Sequence, residues 1–372
     1  MAKKAYIGID GVAKAVKKSY IGVEGVARKI RKAYIGIGGV ARPCWSGAEL
    51  AYYGTVNILN IARSNLEATT VGGYALFGGG LTSDYSYAVD AYNESLTRSS
   101  PTALNQARIA LAATTVGCYA LFGGGRSSSS SNIVDAYNES LTRTTASSLE
   151  VARDMLAATT VGDYALFGGG AYGYVDAYNK SLTRSNPTAM NAVLYYMAAT
   201  TVGNYALFSG GQSSSGIASD IVYAYDKSRT QTLPTKLSVA RSALAATTVG
   251  DYALFGGGLQ NAENSKAYPT VDAYDKSLTR TQPTVLSVAR GHFAATTLGE
   301  YALFGGGREL DTNKETSVVD AYDASLTRTI PGNLSAGRMY LAATTVGGFA
   351  LFGGGIGSSN AKLATVDAYT IM

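Results

Sequence analysis

A chain of 372 residues with 46% apolar content is long enough for one large domain or two to three ordinary ones and can build a core. Charged residues make up only 15% while glycine reaches 44 and tyrosine 27, a balance of short strands and tight turns rather than helices, so the expectation is all-β. Two cysteines, Cys44 and Cys118, lack any metal-ligand spacing and read as free thiols, and His292 is the only histidine; a disulfide framework, a structural zinc site and a multi-histidine metal centre are excluded.

The N-terminus is basic but offers no apolar signal segment, and no run of ~18 apolar residues follows anywhere, so neither a signal peptide nor a membrane span is expected. Residues 1–45 carry ten Lys and Arg against Asp10 and Glu24, whereas residues 46–372 carry 21 against 24, which divides the chain into a basic arm and an acidic body. The arm contains three copies of a 14-residue unit, KAYIGIDGVAKAVK, KSYIGVEGVARKIR and KAYIGIGGVARPCW, with Tyr6, Tyr20 and Tyr34 in register as assembly residues. Asp10-Gly11, Glu24-Gly25 and Gly38-Gly39 lie between β-rich flanks and predict stacked hairpins or strands, too short to bury a core unaided and so in need of a partner. A basic stripe with interleaved tyrosine also suits nucleic acid or an anionic polymer. The strict period and the Ile and Val positions favour protein assembly instead. This arm resembles the AYIGVDGVARKV-type tandem repeats of virion proteins from phages and prophages of Gram-positive bacteria. The resemblance implies a multi-copy particle protein, attached to other virion proteins through residues 1–45, assembled in the host cytoplasm and released by lysis.

Residues 46–372 repeat the anchor ATTVGDYALFGGG seven times, from Ala68, Ala113, Ala158, Ala199, Ala246, Ala295 and Ala343, at intervals of 41 to 49 residues. That period suggests propeller blades. The ATT strand, a, is small enough for a crowded axis, YALF forms strand b, and Gly-X between them suits a type II′ hairpin. VDAYNESLTR and its copies predict strands c and d around a turn at Asn93-Glu94-Ser95. The last unit ends one strand short, and residues 50–58, LAYYGTVNI, can supply that strand and close the ring, removing an exposed edge. The expected fold is a seven-bladed β-propeller over 46–372 with a short β-rich N-terminal repeat arm. The order Arg, hairpin, GGG and tyrosine-containing strand resembles the kelch repeat in all seven units; strand d departs from it, carrying Leu96, Leu141, Leu182, Leu278 and Leu326 where that pattern favours tryptophan.

Six units place Arg five residues before the anchor alanine (Arg63 and Arg108 are the first two), Asp in strand c (Asp90, Asp135), and five of them Arg in strand d (Arg98, Arg143). Unit four has Leu194, Tyr223 and Gln231 in these places, so the three charges leave together. A buried Arg-Asp-Arg cluster is expected, structural rather than catalytic, with Asp90 directly opposite Arg98 across the c–d turn.

The b–c loops are where the repeat stops, and they emerge with the d–a loops on one face. Binding residues concentrate on such loops. The ligand-binding candidates are Tyr85, Tyr87, Arg126, Tyr172, Tyr174, Gln260, Asn261, Arg308 and Asp311. No P-loop, dinucleotide fingerprint or sialidase-type Asp box is present, so no cofactor, metal or enzymatic activity is expected. The functional expectation is a tail, baseplate or head-fibre component whose propeller presents a face to host-surface glycans. The alternatives are a cytoplasmic kelch-like scaffold that binds another protein and a cell-wall glycan hydrolase using Glu309 and Asp311.

Overall fold

The computed structural model describes residues 49–260 and 266–372, together with the strand backbones between residues 6 and 46. Two units are distinguished, the first centred on residues 1–51 and the second on 52–370. In the first, each 14-residue copy is a separate antiparallel hairpin: Tyr6–Ile9 with Val12–Ala15, Tyr20–Val23 with Val26–Lys29, and Lys32–Ile37 with Val40–Ser46. The registers Ile9↔Val12, Val23↔Val26 and Ile37↔Val40 leave two-residue links at the three predicted turns. Tyr6 and Tyr20 open the first strands of the first two hairpins and Tyr34 lies within that of the third; the environments of their side chains lie outside the described residues.

The second unit contains seven four-stranded antiparallel sheets. In blade one strands a to d are Glu67–Val71, Tyr74–Gly78, Val89–Asn93 and Arg98–Ser99, and blades two to six repeat this order. Blade seven takes strands a to c from Ala342–Val346, Phe349–Gly353 and Val366–Ile371, and its outermost strand is Leu50–Thr55. Val56 N donates to Val366 O at 2.9 Å and Glu49 N to Met372 O at 2.8 Å, so the closing strand ends three residues earlier than the sequence suggested. Strands a neighbour one another in a closed circle, the seventh lying against the first. The fold is a seven-bladed β-propeller.

Each a–b link starts with a glycine of φ between +50° and +56°, as a type II′ turn requires. The threonines of ATT have a further role besides small size. Thr69 and Thr115 hydroxyls meet at 3.0 Å, and Thr115 Oγ1 donates to Thr70 O at 2.8 Å. The same two contacts join blades two to three, three to four, four to five and five to six, so hydroxyls lace neighbouring innermost strands together. The triple glycine permits close approach: a Cβ on Gly79, at φ +70°, would lie 2.8 Å from Arg108 O of the next blade.

Two local expectations are corrected. Tyr92, not Asp90, stands opposite Arg98, so the Asp–Arg pair is diagonal across the ladder, a reach that the long guanidinium side chain spans. The cause is a turn one residue later, at 94–96: Leu96 N donates to Asn93 O and Asn93 N to Thr97 O. Leu96, Leu141, Leu182, Leu278 and Leu326 therefore sit in this turn at φ between +59° and +62°, not in strand d. They still fill space between blades; Leu96 packs with Leu351 and Ala342 of blade seven.

The charge cluster is built as expected. Asp135 is fully buried and bonds Arg108 at 2.6 Å and Arg143 at 2.8 Å, while Arg108 also donates to Phe122 O at 3.0 Å. Asp90 likewise holds Arg63 at 2.7 Å and Arg98 at 2.8 Å. Blade seven, whose outer strand comes from the other end of the chain, replaces the strand-d arginine with Tyr52, whose hydroxyl donates to Asp367 at 2.7 Å. Burial, then that bond, pushes the Tyr52 hydroxyl up to about 12. In blade four Tyr223 donates to Asn191 at 2.5 Å and Gln231 to Tyr225 at 2.6 Å, an uncharged set.

Asp135→Ala strands two arginines, one of them fully buried, and is expected to cost about 3–5 kcal/mol. Installing the blade-four set, Arg108→Leu with Asp135→Tyr and Arg143→Gln, is expected to recover most of that loss, because Asn105 already occupies the place of Asn191. Urea unfolding of the two variants checks this; equal losses would exclude the coupling. A chain beginning at residue 56 exposes the edge of Val366–Ile371 and is expected to aggregate, as read by light scattering.

Candidate binding funnel on the loop face

The b–c and d–a loops interlock on one face. In six blades the residue after the glycine run is bridged to the strand-a approach: Leu81 to Ser64, Arg126 to Ile109, Gln212 to Tyr195, Leu259 to Ser242, Arg308 to Gly291 and Ile356 to Met339. One residue on, every blade places a non-glycine residue at positive φ, between +51° and +57°: Asn65, Ala110, Met155, Tyr196, Ala243, His292 and Tyr340. Backbone bonds run from each to the next around the axis. Met155 N donates to Ala110 O, Tyr196 N to Met155 O, Ala243 N to Tyr196 O, His292 N to Ala243 O, Tyr340 N to His292 O and Asn65 N to Tyr340 O, at 2.9 to 3.1 Å. Non-glycine residues in this region are held there by their surroundings and collect at functional sites.

This ring forms the mouth of a central cavity of about 180 Å³. Below it lie Leu66, Leu111, Leu156, Met197, Leu244, Phe293 and Leu341, and then a second ring that is alanine in six blades and Glu67 in the first. The mouth is lopsided. Tyr196 meets His292 edge-on at 6.3 Å and His292 meets Tyr340 at 4.5 Å, giving an aromatic wall over three blades, while Ala110 and Met155 leave the other side open and apolar.

The titratable groups here are all shifted towards neutrality. Burial pushes the Glu67 carboxyl up to about 8, and burial followed by the Arg308 guanidinium brings His292 down to about 4. Tyr196 and Tyr340 are raised by burial. At neutral pH the cavity therefore presents a protonated carboxyl, a neutral imidazole and phenols: a polar, uncharged lining in an apolar frame, the usual make-up of a small-molecule site.

The residues singled out in the sequence lie mostly farther out. Tyr87 and Tyr172 are 60% and 65% exposed, and Tyr172 and Tyr174 meet at 6.3 Å on blade three. Tyr85 is half-buried and bridged to Leu81. Arg126 lies 3.7 Å from Asp154, and Arg308 donates to Asn313 in a small hairpin, Arg308–Glu309 with Lys314–Glu315. Asp311 is exposed at the tip of that hairpin, and Glu309 accepts from Thr312 at 3.1 Å. Gln260 N donates to Lys266 O at 2.9 Å, and Asn261 lies outside the described residues. Of these candidates, Arg126 and Arg308 come nearest the mouth, where their charge reaches Tyr196, His292 and Tyr340. The mouth itself was missed. Its signal was available as the position three before each anchor alanine, which changes from blade to blade beside a following position that is leucine in five of seven.

Between about pH 4.5 and 8 the folded protein binds a proton at Glu67 that the unfolded chain releases, so this residue makes stability fall as pH rises through that window. Glu67→Ala, which restores the alanine of the other six blades, is expected to leave stability unchanged at pH 4 and to raise it at pH 8.5 by on the order of 1 kcal/mol. Thermal melting of both proteins at the two pH values measures the difference; a constant difference would show that Glu67 titrates alike in the folded and unfolded chain.

No protein-family model matches the chain, and no curated protein does. Among solved structures it is similar to one titled "Structure of YjhT", with a TM-score of 0.58 and 11% identity over 85% of this chain and 99% of that one. At that identity the likeness establishes a shared fold, a kelch-like seven-bladed β-propeller.

Proposed function

We propose that this is a non-enzymatic recognition protein of a phage or prophage particle: the basic arm attaches it to other virion proteins and the propeller binds a host-surface glycan. The observation that carries this reading is the division of labour within the ring. Six blades repeat the same buried Arg–Asp pair, while the seven b–c loops on one face differ in length and chemistry and surround a funnel. A rigid scaffold that varies only its exposed loops suits binding. Exposed Tyr87 and the Tyr172–Tyr174 pair offer aromatic faces of the kind that stack on sugar rings. Three separate hairpins in the arm agree with an assembly segment, since an isolated hairpin is marginal until it is covered.

The test is saturable binding of the full chain to whole Gram-positive cells and isolated wall polysaccharide, beside a variant with Tyr87, Tyr172 and Tyr174 all changed to Ala. A loss of tenfold or more in the variant is expected, equivalent to about 1.4 kcal/mol. Absence of binding to every envelope tested would overturn the host-recognition reading.

A further inference from the structure

We infer that the central funnel is a seat for an alkylated ammonium group, with Glu67 as its counter-ion and Tyr196, His292 and Tyr340 as its aromatic wall. The inference rests on the reading of this face as a binding face and specifies the chemistry of what it takes.

Glu67 stands where six sibling blades have alanine, so the fold does not require it. It lines both the mouth cavity and the alanine channel below. Among the described residues no salt bridge reaches it, and burial alone shifts it, without a contribution from any charged neighbour. The titratable groups sharing its cavity are Tyr196, His292 and Tyr340, all neutral near pH 7. A carboxyl desolvated in this way opposes stability when ionised, and a cation supplied from outside removes that penalty.

The rest of the lining narrows the class. The walls are aliphatic, which suits a cation carrying its own apolar coat, and aromatic faces attract such a cation through their quadrupoles. An anion would meet Glu67. The volume of about 180 Å³ equals about six waters, room for a trimethylammonium group and a short tail. Arg126 and Arg308 stand at the rim rather than in the lining; Arg126 is near Asp154 and Arg308 is bonded to Asn313. An ammonium must pass Arg308, and an anion would be drawn to it, which gives the two classes opposite responses to its removal.

The probe is choline, permanently charged, measured with the full chain by calorimetry from pH 6 to 8.5, beside its neutral carbon isostere 3,3-dimethylbutan-1-ol. Saturable choline binding is expected, with affinity rising by up to tenfold per pH unit until about pH 8 and then levelling, as Glu67 gives up its proton on binding. E67Q is expected to weaken choline at least tenfold and to flatten the pH dependence; E67A, which restores the sibling residue, shows the same loss in a protein whose fold is not in question. R308A is expected to leave choline binding equal or tighter. Equal affinity for the neutral isostere, binding unchanged in E67Q and E67A, weaker binding in R308A, or no binding of choline would each overturn the inference. Envelope binding that persists in E67A would overturn it and leave the recognition reading intact, whereas choline binding without envelope binding would do the reverse.

Discussion

One buried carboxylate in each of six blades ties the propeller together. Asp135 accepts from the Arg108 guanidinium ahead of strand a, from Arg143 in strand d and from the backbone N of Asn105 in the incoming loop, while Arg108 also holds the Phe122 carbonyl of strand b. A single side chain thus fixes the approach of the chain to the axis, the inner sheet and the outermost strand. Burial pulls the Arg108, Arg241 and Arg290 guanidinium groups below their ordinary values and the aspartate opposite offsets this, so the pair is stable only as a complete set. Strand d has only two or three residues in blades one to six, too few ladder bonds to hold by itself, and the side-chain bond to Asp supplements them.

Blades four and seven show how far that constraint can bend. Blade four discards all three charges and substitutes phenol, amide and aliphatic groups, each polar atom finding a neutral partner. Blade seven keeps Arg338 and Asp367 but accepts a tyrosine hydroxyl from a strand more than 300 residues away in sequence. In both cases the group in the aspartate or strand-d place finds a hydrogen-bond partner, charged or not. The threonine contacts at the axis obey the same rule on the other side of the sheet, each hydroxyl donating to a carbonyl or sharing with the next hydroxyl.

Once the ring is rigid, the residues at its mouth are free to differ. Their backbone is fixed by neighbour-to-neighbour bonds and by the clamped arginines just before them, so any side chain compatible with positive φ is carried into the cavity without disturbing a blade. Tyr196 and His292 meet across the small Ala243 although 96 residues separate them in sequence, and Tyr340 holds the position next to His292. A carboxyl in the second ring then acquires a chemistry that it would not have on an exposed strand, because water is largely replaced by leucine and alanine.

The sequence alone determined the seven blades, the closing strand, the hairpins of the arm and the members of the charge cluster, because each rests on periodicity or on charges that vary together. It misplaced Arg98 opposite Asp90 and put Leu96 in a strand, since a turn displaced by one residue leaves the repeat pattern unchanged. It drew attention to the variable loops and their exposed tyrosines, where difference is conspicuous, and passed over Glu67, a single departure inside a repeated strand, and Asn65, Tyr196, His292 and Tyr340, which stand just before strand a. Only the tertiary structure brought these together. Closing seven strands around one axis makes neighbours of residues that are a whole repeat apart, and burial there decides which of them are charged.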